Sequence, residues 1–132
     1  MLRQLLLTRE PLDEPALVAA RSRSHTSGAA VVFLGIVRDR ESEAPIRALE
    51  YESFEAMATH QFQKLFDTLE QRWPVVSSVR LVHRLGEVPV GDPSLFVEVT
   101  APHRGEAFAA CEWLIDEMKR VVPIWKRALP AA

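Results

Sequence analysis

The clearest hydrophobic pattern in the chain lies near its C-terminal end. Apolar residues recur there at spacings of three and four, which is typical of one face of an α-helix. The members of this stripe are Phe108, Cys111, Ile115 and Met118. The pattern predicts a helix that begins near Arg104. Pro123 disfavours helical geometry at the residue before it, so we expect the helix to end there and an extended segment carrying Lys126 to follow.

Two further helices are predicted upstream. Between Glu55 and Trp73 a second set of apolar residues recurs at helical spacing, with polar residues on the other face, and Pro74 closes the segment. This set is Ala58, Phe62, Leu65, Phe66 and Leu69. A short helix is expected after Pro11 and Asp13, since Asp is a favoured residue at a helix start.

The remaining apolar segments are predicted to be β-strands. A first strand covers residues 2–7, and the near-continuous apolar run at 29–37 is typical of a buried strand. Gly35 within that run indicates a bulge or a close backbone approach. Residues 46–54 should return from the polar loop before them in hairpin fashion. The segment 76–92 is expected to form a strand with Val79, Leu81, His83 and Leu85 on one face and to end in a Gly-Pro-rich turn. The segment 93–102 is expected to form a second strand that pairs antiparallel with it.

The order of these elements favours one fold class. Strands and helices follow one another as β-α-β-β-α-β-β-α, which predicts an α+β fold with helices packed on a mainly antiparallel sheet. The 132 residues fit one domain, 1–132, long enough to bury about two thirds of the surface of the unfolded chain.

Composition excludes several function classes. The net charge of −2 argues against a general binder of nucleic acid or of membrane surfaces, because either needs an extended basic face. One cysteine allows neither an intrachain disulfide nor a cluster of thiolate ligands for zinc. No dinucleotide or phosphate-loop fingerprint is present. We therefore expect no metal and no bound cofactor. The absence of a signal peptide and of a long apolar span favours a cytoplasmic protein.

Basic residues bracket the last helix. His103 and Arg104 precede it, Lys119 lies at its end, Lys126 follows it, and Arg38 lies where a strand meets a loop. Each has an ordinary explanation: a solvated Arg104, a packed or capping His103, a lysine that satisfies the helix dipole, and surface charge. Together, without carboxylates at fixed spacing, they indicate a pocket for an anion, because clustered cations are costly unless a ligand supplies the negative charge.

The other candidate groups point to packing. Cys111 lies on the apolar helix face, which favours a buried, inert thiol. His25, His60 and His83 have no metal-ligand spacing, so we interpret them as surface or core residues.

Four segments together resemble a known family. The segments are VVFLGIVR, EYESFEAM, VHRLGEVPVGD and VTAPHRGEAFAACEWLIDEMKRVVPIWKR. In this order and spacing, from about Gly28 to Arg127, the chain resembles the large, catalytic subunit of molybdopterin synthase. The most specific part is His-Arg, then a helix ending in Lys, then Pro-x-Trp-Lys-Arg. The resemblance implies the α/β-hammerhead fold of that family.

The resemblance also implies a reaction and its partners. The family transfers two sulfurs onto cyclic pyranopterin monophosphate to form the dithiolene of molybdopterin, in molybdenum cofactor biosynthesis. The sulfur arrives as a C-terminal thiocarboxylate on a small ubiquitin-like partner whose Gly-Gly tail enters the pocket. The large subunit forms a homodimer within a heterotetramer.

Residue roles follow from the same resemblance. Lys119 is assigned to the acyl group of the partner's tail, and Lys126 acts nearby as a proton donor or substrate-orienting cation. The residues assigned to the pterin phosphate are Arg38, His103, Arg104 and, as a weaker candidate, Arg127. The two anions are thus expected at opposite ends of the helix, with the precursor phosphate near His103 and the thiocarboxylate near Lys119.

Two departures leave other functions open. The chain ends in Ala-Leu-Pro-Ala-Ala where members of the family usually continue with an acidic and aromatic tail, and Ile36 stands where a cation is common. One alternative is a docking module for a Gly-Gly-tailed protein that lacks efficient catalysis. Another is an enzyme that uses the same cationic pocket on a different small anion.

Overall fold

A computed structural model describes residues 1–131 and confirms the α+β class. Within that range the chain forms eight strands and three helices. In chain order they are β1 (Leu2–Thr8), α1 (Glu14–Ala19), β2 (Ala29–Ile36), β3 (Arg40–Glu41), β4 (Ala44–Ser53), α2 (Glu55–Arg72), β5 (Ser78–Arg84), β6 (Gly86–Pro89), β7 (Pro93–Ala101), α3 (Arg104–Val121) and β8 (Ile124–Pro130). Among these elements, no helix combines the length and the apolar character that crossing a bilayer requires.

The first sheet has the strand order β1-β5-β7-β2. Strands β5 and β7 pair antiparallel, as predicted for segments 76–92 and 93–102. Strands β2 and β7 are also antiparallel, whereas β1 and β5 run parallel. Helices α2 and α3 cover one face, and their apolar stripes form the main core with Leu81, Val97 and Val99 of the sheet. The predicted stripe of α2 is buried in full.

The second sheet is built around β4. Strands β6 and β8 both pair antiparallel with β4, and β3 pairs with its beginning. A small second core of Val37, Ile46, Leu49 and Val88 lies here. Because β8 follows α3 directly, the C-terminal end of α3 is held against this sheet.

Three predictions about the strands are corrected. Residues 76–92 form two strands in different sheets, since the chain turns at Gly86 with a φ of +82° that suits glycine. The hairpin before β4 is formed by the two-residue strand β3, and β2 pairs with β7 instead. Strand β2 is a sheet edge, so Phe33 and Ile36 are 37% and 57% exposed rather than buried. The predicted irregularity at Gly35 is confirmed as a register shift between Gly35 and Ile36.

The last helix has the predicted bounds, but one residue of its predicted apolar stripe, Phe108, is not buried. Helix α3 begins at Arg104 and ends before Pro123. Its buried residues are Ala107, Ala110, Cys111, Leu114, Ile115 and Met118. Phe108 is 58% exposed, because the small Ala107 takes the core-facing position in that turn.

Candidate functional site

A cavity of about 610 Å³ lies between the two sheets, beside the C-terminal end of α3. This volume is in the range of small-molecule sites. Its charged and polar lining residues come from both sheets, α3 and the connection after β2. They are Arg38, Glu41, Tyr51, His83, Ser94, Lys119 and Lys126. Phe33, Ile36 and Trp125 add apolar surface to the lining.

The two lysines reach this cavity by different routes. Lys119 is in the last turn of α3, one residue after the buried Met118. The helix ends at Val121, Val122 is already extended, and β8 begins directly after Pro123. In the β4–β8 register Lys126 lies opposite Tyr51, so both side chains point to one face of the sheet. The fold thus places the C-terminal end of α3 and the beginning of β8 at the cavity.

Arg38 is fixed by the bulge before it. The Val37 amide donates to the Asp92 carbonyl at 3.0 Å, and the Gly91 amide donates to the Val37 carbonyl at 2.8 Å. Val37 itself is buried in the second core. The backbone beside Arg38 is therefore held between β2 and the turn before β7, while its side chain lines the cavity.

The cations of the site differ in their partners. Within residues 1–131, Arg38 and Lys119 form no salt bridge and no side-chain hydrogen bond. Lys126 lies 3.3 Å from a carboxylate oxygen of Glu41. The expectation that the cations lack carboxylate partners is therefore wrong for Lys126 and holds for Arg38 and Lys119.

Arg127 lies outside the cavity lining. As the neighbour of Lys126 in β8 it points to the other face of the sheet, opposite Glu50. Its guanidinium is 2.8 Å from the Glu50 carboxylate, and this hydrogen bond raises the pKa of Arg127. Its predicted contact with the pterin phosphate gains no support from this position.

His103 and Arg104 lie at the other end of α3. His103 occupies the N-cap position without a side-chain capping bond, and neither residue lines the cavity. The stretch of helix between Arg104 and Lys119 spans about 22 Å. Within one chain, an anion bound at Arg104 is therefore too far from an anion bound at Lys119 for the two to react.

Sequence reasoning missed a chain of hydrogen bonds in the cavity. The Tyr51 hydroxyl donates to Ser94 Oγ at 3.3 Å, and Ser94 donates to the Gly35 carbonyl at 3.4 Å. The Tyr51 ring meets the His83 ring edge-on at 5.0 Å. Tyr51 of β4 thus contacts β5 and β7, and through Ser94 it is linked to β2. The signal that could have identified it is the period-two alternation of β4, which turns the Tyr51 side chain inward.

The histidines lie where the sequence placed them, as surface or core residues, but His83 is also part of the cavity. His25 and His60 are exposed, whereas His83 is 4% exposed at the end of the inward face of β5. Burial lowers the pKa of His83, opposed by a hydrogen bond to the Arg84 carbonyl. In the described part of the chain, no group of three or more His, Cys, Asp or Glu side chains is arranged to hold a metal ion.

Cys111 is buried, as predicted. It is 3% exposed on the core face of α3, and burial raises the pKa of its thiol to about 11. A thiol in this setting is protonated at neutral pH and is a poor nucleophile. The chemistry of the cavity is that of three cations, the Glu41 carboxylate, one imidazole and hydroxyl groups, without a reactive thiol.

Comparisons with known proteins agree with this architecture. The family model described as MoaE protein matches residues 7–121. The molybdopterin synthase catalytic subunit of Pyrococcus abyssi is 39% identical over 124 residues, which cover 92% of this chain and 82% of that protein.

Solved structures are similar as well. The X-ray structure of molybdopterin synthase from Staphylococcus aureus has 30% identity and a TM-score of 0.85, and the match covers 97% of this chain and 90% of that one. A chain from the complex of subunits 1 and 2 of molybdopterin-converting factor from Helicobacter pylori has 26% identity and a TM-score of 0.77, over 98% and 89% of the two chains. This chain belongs to the MoaE family.

Proposed function

We propose that this chain is the catalytic subunit of a molybdopterin synthase. It takes sulfur from the C-terminal thiocarboxylate of a small ubiquitin-like carrier and transfers it to cyclic pyranopterin monophosphate, forming the dithiolene of molybdopterin. The relatives named molybdopterin synthase catalytic subunit support this assignment. The observation in this chain that carries it is a cavity with two cations, Arg38 and Lys119, that have no partner among the described residues.

The charge pattern suits two anionic reactants. A thiocarboxylate and a cyclic phosphate both gain from cations held in a partly enclosed site, where Coulomb interactions are stronger than in water. Lys119, free of a carboxylate, is suited to polarise the acyl carbonyl of the carrier's tail. Lys126 is suited to orient the precursor or to donate a proton. Arg38 is suited to bind the precursor phosphate.

The sulfur source must be a second molecule. Cys111 is the one thiol of the chain, and it is buried and protonated at neutral pH. Sulfur carried on the tail of a partner removes the need for a reactive cysteine here. The solved complex of two subunits of molybdopterin-converting factor supports a partner subunit of this kind. The tail, which we propose ends in Gly-Gly, would enter past Trp125 and Phe54, which meet edge-on at 5.1 Å and are both exposed.

A homodimer within a heterotetramer is part of the proposal. If His103 and Arg104 bind the same precursor as Lys119, a second copy of the chain must supply them, because about 22 Å of helix separates them within one copy. A two-fold dimer places each residue of one copy against the other copy in the same way, so both sites would be completed at once. We propose the cytoplasm as the location, which suits a chain whose single cysteine stays reduced.

Lys119→Ala tests the assignment. Thiocarboxylated carrier and precursor are mixed with wild type or variant, and molybdopterin is measured after conversion to a fluorescent derivative. We expect product formation to fall by about 10²-fold or more, because a group that stabilises developing charge is lost. Arg120→Ala is the matched control, since Arg120 is the next residue, is exposed and pairs with Glu117 outside the cavity. Near-normal turnover of Lys119→Ala in a folded protein would contradict the assignment.

The same assay separates the alternatives. A docking module predicts that the carrier binds wild type but that no product forms. An enzyme acting on another small anion predicts neither carrier binding nor product. Intact-mass measurement of the carrier before and after the reaction identifies sulfur transfer, because only this converts its thiocarboxylate to a carboxylate. A pull-down of the carrier distinguishes the other two, because only the docking module binds it.

A further inference from the structure

His83 has a place in the cavity that the assigned cations do not explain. It is 4% exposed, lies at the end of β5 and lines the same cavity as Lys119 and Lys126. For packing alone, the shape of the buried ring would be enough. The His83 ring is also held in one orientation by a hydrogen bond, and it borders the space where the reactants are expected to bind.

The hydrogen bond of His83 defines its tautomer. Nδ1 lies 2.8 Å from the Arg84 carbonyl oxygen. A carbonyl oxygen only accepts, so Nδ1 carries the hydrogen and donates it. In a neutral imidazole the other nitrogen, Nε2, then has a free lone pair. Within residues 1–131, Nε2 makes no hydrogen bond.

The surroundings keep the ring neutral. Tyr51 from β4 meets the ring edge-on at 5.0 Å, and the charged groups that line the same cavity are Lys119 from α3, Lys126 from β8, Glu41 from β3 and Arg38 after β2. Burial lowers the pKa of His83 below its ordinary value of 6.5, and the hydrogen bond to the Arg84 carbonyl opposes this shift only in part. The one carboxylate, Glu41, is paired with Lys126. His83 is therefore the neutral nitrogen base of this cavity.

The proposed reaction needs such a base. When the thiocarboxylate sulfur bonds to a precursor carbon and an oxygen substituent leaves that carbon with the electron pair of its C–O bond, the carrier becomes joined to the precursor through a thioester. Release of the carrier requires water to attack the acyl carbon, and water is a weak nucleophile unless a base takes its proton. The cations of the cavity cannot do this while they are charged.

We propose that His83 is the general base for hydrolysis of this carrier–precursor thioester. The inference rests on the proposed function. A water proton passes to Nε2 as the water oxygen bonds to the acyl carbon, and Lys119 stabilises the resulting oxyanion. The acyl C–S bond then breaks and its electron pair stays on sulfur. The precursor keeps a thiolate, and the carrier leaves as a carboxylic acid that loses the second water proton to solvent and becomes a carboxylate. The imidazolium then returns the first proton to solvent.

His83→Asn tests this role with little change of structure. The Asn amide nitrogen can replace Nδ1 as the donor to the Arg84 carbonyl, but nothing replaces Nε2. In a single-turnover reaction with thiocarboxylated carrier and precursor, we expect the thioester to form at about the wild-type rate and to hydrolyse about 10²–10⁴-fold more slowly. Intact-mass spectrometry after an acid quench should show a carrier-plus-precursor adduct that hydroxylamine cleaves. His60→Asn, at an exposed histidine of α2, is the matched control.

The outcomes separate the role of His83 from the proposed function. If wild type forms neither adduct nor product, the proposed function fails and the inference fails with it. If wild type turns over and His83→Asn releases product at the same rate, the inference alone is overturned. A slower variant that accumulates no adduct shows a merely structural role and also overturns it.

The pH profile of wild type is a second test that needs no variant. The hydrolysis rate should be low at acid pH and rise to a plateau as His83 loses its proton below pH 6.5, since only the neutral ring accepts a proton. A hydrolysis rate that shows no such rise between about pH 4 and pH 7, while the carrier stays folded, contradicts the assignment.

Discussion

Lys119 and Lys126 border one cavity but meet different neighbours. Glu41 is the last residue of β3, and the turn that follows it contains Ser42 and Glu43, which both have positive φ. Its carboxylate neutralises part of the field of Lys126, whereas Lys119 has no such partner within the described chain. An anion that enters the cavity can therefore interact with an unpaired Lys119, whereas it must compete with Glu41 for Lys126.

Glu41→Gln should strengthen anion binding. The substitution removes the competing charge at nearly constant shape, and a partly exposed pair of this kind is worth about 0.2–1 kcal/mol, so the affinity for cyclic pyranopterin monophosphate should rise by about 1.5- to 5-fold. Titration calorimetry at low and high salt measures the change, which should shrink at high salt. Glu43→Gln, in the same turn and without an ion pair, should leave the affinity unchanged. A weaker affinity for Glu41→Gln would show that Glu41 holds Lys126 in its binding position instead.

Cys111→Ala should leave sulfur transfer within about twofold of wild type and cost about 1 kcal/mol of stability, because a small buried side chain is lost. The folded state favours the neutral thiol, whose pKa is about 11 instead of 9.0. Wild type should therefore lose stability relative to the variant as the pH rises from about 9 towards 11, where the unfolded thiol ionises first. Urea unfolding of both proteins at pH 8 and pH 10 measures this difference. An activity loss of 100-fold would show that the thiol takes part in the reaction.

At the scale of elements, the segment around α1 is tied to the first sheet by a buried ion cluster. Glu98 on β7 is fully buried, and its carboxylate lies 2.6 Å from Arg21 and 3.5 Å from Arg80 on β5. Arg80 also donates to the Leu17 carbonyl of α1 at 2.8 Å. These contacts hold a short helix that buries no residue of its own.

Arg80→Met should destabilise the protein by about 3–5 kcal/mol, because Glu98 then loses a buried countercharge. The double variant Arg80→Met with Glu98→Met should recover much of the loss, since no buried unpaired charge remains and Arg21, which is 33% exposed, can be hydrated. Chemical denaturation of wild type, both single variants and the double variant gives the coupling free energy. Arg3→Met, which breaks partly exposed pairs with Asp67 and Glu70, should cost less, about 0.2–1 kcal/mol for each pair. Additive losses in the double variant would contradict the buried-charge explanation.

Helical periods and proline boundaries made α2 and α3 predictable, because their apolar stripes face one continuous core. The change of sheet at Gly86 was not predictable from the same pattern. The apolar alternation changes phase at Gly86, between Leu85 and Val88, which is equally typical of a turn and does not reveal that the strand partners change from β7 to β4. Strand patterns record which face is buried and carry little information on which strand lies beside them.

The same limit applies to the site. Lys119 and Lys126 are close in sequence on either side of Pro123, so their meeting in the cavity was predictable from local structure. Glu41, Tyr51 and His83 come from three separate strands, and their convergence depends on how the two sheets join. His83 carried the weakest signal, since an inward histidine at the end of an apolar strand has the same pattern whether it packs or reacts.

For the whole molecule, the basic groups lie at two ends of one helix. Arg38, Lys119 and Lys126 border the cavity, and His103 and Arg104 lie about 22 Å away along α3. Each end is incomplete for the proposed reaction in a single copy. In a two-fold dimer, the cavity of each copy could lie beside His103 and Arg104 of the other copy. Two complete sites would then form, each using residues of both chains.

Mixing two inactive variants tests this arrangement. Lys119→Ala and Arg104→Ala should each be nearly inactive alone. In a hybrid dimer, one site carries both substitutions and the other carries neither, so random exchange of subunits should restore about a quarter of wild-type activity. The measurement is molybdopterin formed with thiocarboxylated carrier, after mixing at equal concentration under conditions that exchange subunits, with the mass of the hybrid confirmed. Exchange with no recovery of activity would place Arg104 in the same copy's site or outside the reaction. Mixing Lys119→Ala with Lys126→Ala is the control. Both residues border the cavity of one copy, so every site in that hybrid lacks one of them and activity should stay low.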